Sequence, residues 1–318
     1  MRLIIELSGE HPLLPFAELE AVGTVTDCRP QVAVVDCRSP ASLNRLALAH
    51  SVLEYLGESA ADSESFTAMV RDLGITADSP FAARVKKISG SDMKTTVPVL
   101  ERRIGSIIRG KVSLSNPSLE YRAIISGNRC YFGRVIQHVD RTSYERRRPG
   151  SRVFFHPGVM MPRLARALVN ISLVSPGERL LDPFCGTGGI ILEGSLIGAQ
   201  SIGSDIDPLM VSGSRKNVPC ASFVRADTTC LPFRDASMDA VVTDLPYGQS
   251  VSIIAGSLEG LYCDALSEIR RVLAPGKRAV VVTHRDISSE ASLVMPVLAC
   301  YAQRVHKSLT RRILVLER

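Results

Sequence analysis

The chain is expected to be α/β, with an α+β first half and a doubly wound, mainly parallel sheet in the second half. Three observations predict this. Beyond residue 152, apolar runs alternate with helix-length segments. The first of those runs opens into a glycine-rich turn, "LLDPFCGTGG". A basic stretch closing on Pro149 and Gly150, "DRTSYERRRPG", separates that half from an earlier region with a different rhythm.

The elements follow in order. A strand is expected over Leu3 to Leu7, a short helix after Pro15, a strand in "QVAVVDC" and a helix in "ASLNRLALAHSVLEYLG". A polar joint, "ESAADSES", precedes helical spacing in "FTAMVRDLG", then alternation in "PFAARVKKI" predicts a strand. "VPVLERRIGSIIRG" reads as an amphipathic helix ended by Gly110. "KVSLSNPSLEYRAIISGNRCYFGRVI" reads as strands around an Asn-Pro turn and a Gly-Asn hairpin. The second half gives strand, glycine loop and helix, then three further strands with an acid behind them. A helix and strand in "LSEIRRVLAPGKRAVVVTH" and two antiparallel strands in "YAQRVHKSLTRRILVLER" complete it. The expected units are therefore 1–56, 57–140, a linker over 141–152, and 153–318.

Composition narrows the function. No run of about 18 apolar residues occurs, so no membrane-spanning helix is expected. The first residues read as a strand rather than a leader peptide, and the expected location is cytoplasmic. Eight cysteines are scattered without a C-x-x-C pair. Buried thiols are expected, and no metal site. Residues 1–83 carry 5 basic and 12 acidic side chains, residues 84–148 carry 15 and 5, and residues 149–318 carry 18 and 15. A positive segment between less basic neighbours is the footprint of a polyanion partner, or else a solvated basic face. Its candidates for phosphate contact are Arg84, Lys86, Lys87, Lys94, Arg102, Arg103, Arg109, Lys111, Arg146, Arg147 and Arg148.

Ligands bind beyond the carboxyl ends of strands in such a sheet. Four expected strand ends carry acids: Asp182, Asp205, Asp227 and Asp244. Gly186, Gly188 and Gly189 form neither G-x-G-x-x-G nor a P-loop. An acid beside the loop would repel a pyrophosphate and favour a cationic ligand such as S-adenosylmethionine. That argues against a nicotinamide dehydrogenase. Asp205 suits ribose hydroxyls, and Asp227 an adenine amine; Asp207 is expected to cap a helix. The alternative for each acid is local capping. Pro183, Phe184, Ile206, Thr228 and His156 belong to the same expected cofactor surround, with a buried turn histidine as the alternative for His156. Cys185 is expected to pack, not to react.

"DLPYG" (244–248) suggests the chemistry. An exocyclic amine on a planar base is a poor nucleophile because its lone pair is delocalised into the ring. The Asp244 carboxylate and the Leu245 carbonyl can hold its two hydrogens and localise that pair. Pro246 restricts Leu245 to an extended backbone. Tyr247 offers a face for the base to stack on, and Gly248 leaves room.

"DPFCGTGG" followed by "DLPYG" resembles amino-group methyltransferases acting on N6 of adenine or N2 of guanine, whose motif is usually Asp/Asn-Pro-Pro-Tyr/Phe. Here Leu245 replaces the first proline. "FFHPGVMMPRLARALVNIS" is similar to a segment of the archaeal tRNA guanine-10 N2-methyltransferases and dimethyltransferases. "FAARVKKI…LERRIGSIIRGKVSLSNPSLEYRAII" resembles that family's THUMP domain. The likeness covers most of residues 66–318, is strongest over 153–250 and weakest at the N-terminus. It implies a class I Rossmann-like methyltransferase sheet behind an N-terminal ferredoxin-like region and a THUMP RNA-binding module. It also implies S-adenosylmethionine as cofactor, tRNA as substrate and, for some relatives, a small zinc-binding activator subunit. The rival readings are the same chemistry on another RNA or on DNA, and a non-catalytic RNA-binding scaffold.

Overall fold

The computed structural model describes residues 1–247, 257–306 and 309–318. The chain divides into two units, Met1–Asp140 and Arg141–Arg318.

The first unit contains β1 (Arg2–Leu7), α1 (Leu14–Leu19), β2 (Gly23–Arg29), β3 (Val32–Cys37), a 3₁₀ turn (Pro40–Arg45), β4 (Ala49–Ala60), α2 (Ser63–Asp72), β5 (Phe81–Lys87), α3 (Val97–Ile107), β6 (Leu119–Ser126) and β7 (Arg129–His138). One sheet runs β2-β3-β1-β4-β7-β6-β5, in which β5 and β6 are parallel and the other neighbours antiparallel. Asp62 caps α2 by accepting from the backbone N–H groups of Glu64 and Ser65. The Gly127-Asn128 hairpin expected between β6 and β7 is present, with Gly127 at φ +55°.

Two expectations for this unit are corrected. Residues 41–57 do not form a helix: they give the 3₁₀ turn and most of β4. Leu46, Ala47, Leu48, Ala49, Val52 and Leu53 are all buried. A strand with both faces covered loses the two-residue alternation that distinguishes it from a helix. The Glu18 carboxylate settles the local geometry by accepting from the N–H groups of Ala47 and Leu48, both at 2.8 Å. The 56/57 boundary therefore falls inside β4, which pairs with β1 on one side and β7 on the other. Strand β2 was not expected.

The second unit contains α4 (Thr142–Arg146), a 3₁₀ turn (Pro149–Ser151), α5 (Pro162–Ile171), β8 (Arg179–Asp182), α6 (Gly189–Leu196), β9 (Gln200–Asp205), α7 (Pro208–Asn217), β10 (Ser222–Arg225), β11 (Met238–Asp244), α8 (Leu258–Val272), β12 (Leu273–Thr283), α9 (Ser288–Val294), β13 (Val297–His306) and β14 (Leu309–Glu317). Its sheet runs β10-β9-β8-β11-β12-β14-β13. The first five strands are mutually parallel, and β14 is antiparallel to both neighbours. The alternation therefore builds the expected doubly wound sheet. Strand order reverses between β8 and β11, which makes that gap the switch point where a crevice opens.

The segment expected as a linker is α4 and a 3₁₀ turn within the second unit. Its Arg147 donates to the fully buried Glu193 of α6 through Nε at 2.8 Å, and Arg166 of α5 meets the same carboxylate at 2.8 Å. A carboxylate at zero exposure needs such partners, because an unpaired buried charge is costly. Cysteine burial is also corrected: Cys37, Cys130 and Cys185 are buried, whereas Cys28, Cys220, Cys230, Cys263 and Cys300 are exposed.

Candidate active site

The end of β8 starts the site. Asp182 is 2% exposed. Its Oδ1 accepts from the Thr243 hydroxyl of β11 at 2.8 Å and from the Phe184 N–H at 3.2 Å. Burial pushes its carboxyl up to about 7 despite those donors. Pro183 is buried behind it, and its carbonyl accepts from the Thr228 hydroxyl at 2.8 Å, tying the segment after β10 to this loop.

The glycines then do what the sequence suggested. Gly186 and Gly188 take φ of +50° and +78°. A methyl group built on Gly188 would press on Ser214 at 3.1 Å, whereas one on Gly186 would meet nothing within 4 Å. Gly186 therefore faces open space. Asp205 braces the loop, since its Oδ2 accepts from the Gly186 N–H at 2.9 Å and its Oδ1 from the Asp207 N–H at 3.0 Å. Burial raises the Asp205 carboxyl as well. Ile206 is 44% exposed beside it, an apolar surface next to a ribose-suited acid. Asp207 caps α7 through the Leu209 N–H, as expected.

Asp227 departs from the expectation. It lies two residues beyond β10, is exposed, and its Oδ1 accepts from the N–H and hydroxyl of Thr229. His156 is exposed rather than buried, with Nδ1 3.0 Å from the Pro157 carbonyl. Cys185 is buried, and burial pushes its thiol up, which fits a packing side chain.

Asp244 ends β11, one strand from Asp182 across the switch point. Burial pushes its carboxyl up to about 6, opposed by the charge of Arg311 and a hydrogen bond from Tyr247. The Tyr247 hydroxyl donates to Asp244 Oδ1 at 2.8 Å. Leu245 is 1% exposed, and its N–H donates to the Val282 carbonyl of β12 at 2.8 Å. The N–H that a proline would lack thus extends the β11–β12 ladder and steadies the strand end. The Pro246 carbonyl accepts from the Tyr262 hydroxyl of α8, fixing the next peptide. Gly248 lies outside the described residues.

Two neighbours of Tyr247 were not anticipated. His284 follows β12 directly, and its ring lies 4.9 Å from the Tyr247 ring at 46°. Arg311 on β14 donates from Nε to the Tyr247 hydroxyl at 3.3 Å. The available signals were an apolar run ending in "TH" and a paired Arg311-Arg312 opening the last strand.

The basic segment divides into engaged and open cations. Lys86 donates to Glu6, Arg84 to the Leu114 carbonyl, and Lys87 to the carbonyls of Met93 and Thr95. Arg147 is held by Glu193. These four carry internal contacts. Lys94, Arg102, Arg109, Lys111 and Arg146 are exposed; Arg103 is exposed but donates to Ser63, and Arg148 pairs with Glu145.

Comparison with known proteins gives the family. The family model described as an RMKL-like methyltransferase domain (UPF0020) matches residues 149–313. The tRNA (guanine(10)-N2)-dimethyltransferase of Methanothermobacter thermautotrophicus is 36% identical, with 100% of both chains covered. The chain belongs to the tRNA guanine-N2-methyltransferase family. The enzyme of that name from Methanocaldococcus jannaschii is 31% identical over 98% of each chain. The crystal structure of TrmN from Thermus thermophilus has the same fold across 100% of both chains, with a TM-score of 0.55 at 20% identity.

Members of this family are enzymes that use S-adenosylmethionine, and the site fits that molecule. The open space at Gly186 admits a ligand against the backbone. The buried Asp182 and the half-buried Asp205 favour a positive one. No helix among the described residues is long and apolar enough to cross a membrane.

Proposed function

We propose that this chain methylates the N2 amine of guanine 10 in tRNA, in the cytoplasm, with S-adenosylmethionine as donor. The observation that carries the reading is the placement of Asp244 and the Leu245 carbonyl at the end of β11, beside the open glycine loop of β8. Asp182, Pro183, Phe184, Gly186, Gly188, Asp205, Ile206 and Thr228 would line the cofactor side. Asp227 and His156 would approach it from exposed positions.

Bound beside the glycine loop, the cofactor would supply a methyl group on a cationic sulfur. The chain's own work is positioning and electrostatics. Asp244 accepts one amine hydrogen and the Leu245 carbonyl the other, so the nitrogen pair is directed out of the ring. The Tyr247 hydroxyl already occupies Asp244 with a donor. An entering amine replaces one donor with another, which frees the Tyr247 ring to stack on the base. Asp244 receives the released proton after transfer, and no covalent intermediate on the chain is required.

Residues 1–140 would form the ferredoxin-like and THUMP-like region that docks RNA, with Lys94, Arg102, Arg103, Arg109 and Lys111 as phosphate contacts. Arg146 and Arg148 would add contacts from the second unit. A small zinc-binding activator subunit is the candidate protein partner. The test is methylation of tRNA transcripts with labelled cofactor, followed by nuclease mapping. Label in N2-methylated guanine at position 10 supports the reading; label confined to other nucleotides refutes it.

A further inference from the structure

The grip on an amine does not by itself select guanine, since adenine also carries an exocyclic amine. Selection needs groups that meet the rest of the base edge. Strands β12 and β14 pair Thr283 with Arg312. One step further along that register, His284 and Arg311 stand at the same end of the sheet, beside Tyr247. The Arg311 guanidinium bonds the Tyr247 hydroxyl, and its charge acts on the Asp244 carboxylate beside it. Nδ1 of His284 is buried and has no hydrogen-bond partner among the described residues. Such a nitrogen is costly to leave unmet.

Guanine has a distinct pattern around its amine. N1 carries a hydrogen, and O6 and N7 accept. Adenine reverses this with an accepting N1 and an amine at C6. Arginine offers donors in a fixed fork and no acceptor, which suits O6 and N7 and opposes the adenine amine. A neutral imidazole nitrogen can accept from N1–H. We propose that Arg311 and His284 are the guanine-reading half of the target-base site, with Arg311 donating to O6 and His284 Nδ1 accepting from N1–H. The inference rests on the guanine-N2 reading above and adds the residues that enforce it. Both side chains would touch the substrate base.

The discriminating substrate is a tRNA with 2-aminopurine at position 10, made by ligation of synthetic RNA. This base keeps the N2 amine and lacks both O6 and the N1 hydrogen. Wild-type enzyme should prefer guanine in kcat/KM by at least about 100-fold, because a site built for polar groups rejects an analogue without them. At pH 8, above the Asp244 limb, Arg311→Ala should lower kcat/KM on guanine by about 10- to 100-fold and on 2-aminopurine by much less, because the analogue has no O6 to lose, so the preference narrows sharply. His284→Ala should narrow it less, and Arg311→Lys, which keeps a donor, should restore part of it. Cofactor binding by calorimetry should be unchanged in all three, which also establishes that each variant is folded. If Arg311 serves only to hold Tyr247, Arg311→Ala will slow both substrates equally, and the proposal fails. A wild type that methylates guanine and 2-aminopurine equally also refutes it and leaves the guanine-N2 reading intact. A wild type inactive on both overturns both.

Discussion

Asp182 and Asp244 end neighbouring parallel strands, and burial raises both carboxyls. Their donors differ in kind. Asp182 is held by a hydroxyl from the adjacent strand and by a backbone N–H in its own loop. Asp244 is held by the phenol of Tyr247, which one side-chain rotation removes. On the proposed reading the first acid belongs to the scaffold of the cofactor loop, and the second is available for exchange with a substrate amine. The same residue type at equivalent positions would then serve two purposes, because its partners are rigid in one case and displaceable in the other.

The largest expected effect comes from Asp244→Ala. It should cut methyl transfer by about 10²–10³-fold, the range seen when one preorganised electrostatic partner is removed. Calorimetric affinity for the cofactor should hold. If the two acids have equivalent roles, affinity will fall instead.

Asp182→Ala should behave in the opposite way. It leaves the Thr243 hydroxyl and Phe184 N–H without their acceptor and should cost about 1–3 kcal/mol of stability. Cofactor affinity should fall with it. Chemical denaturation and calorimetry measure both, and an unchanged midpoint would remove Asp182 from the scaffold role.

The titrations give a smaller effect with a defined sign. Asp244 must be ionised to accept amine hydrogens, so kcat/KM should fall as pH drops through about 6. Replacing Arg311 removes a charge that lowers this value, and the limb should move to higher pH. For stability the direction reverses. Asp182 releases its proton near 4 when unfolded and near 7 when folded without ligand. Its contribution is therefore present below about 4 and lost as pH rises to about 7. Compared with Asp182→Asn, the ligand-free wild type should lose stability across that window in pH-dependent melting.

Tyr247→Phe should have the least effect, about threefold in kcat, since the ring remains and only a displaceable donor goes. Tyr247→Ala removes the stacking face and should raise KM for tRNA by about tenfold.

Much of this site could be read from the sequence. Glycines followed by an acid-bearing strand constrain the backbone strongly, and the Asp182, Gly186, Gly188, Asp205 and Asp244 placements follow from the strand–loop–helix pattern. Legibility failed where contacts are long-range. Residues 41–57 read as a helix because burial on both faces erased alternation. His284 and Arg311 come to Tyr247 only through pairing of β12 with β14. Charge counting found the basic segment but could not tell Lys86, already held by Glu6, from exposed Lys94. That distinction predicts that neutralising Lys94, Arg102, Arg109 and Lys111 will lower the salt slope of RNA binding by about one for each phosphate left without its cation. Neutralising Lys86 should act on stability instead.

The most direct measurement compares two tRNA transcripts that differ at position 10, one with guanine and one with inosine, using labelled cofactor. Inosine retains O6 and N1–H and lacks only the amine that Asp244 and the Leu245 carbonyl are held to grip. Label in the guanine transcript and none at position 10 of the inosine transcript is the predicted result. Equal labelling of the two would contradict the account.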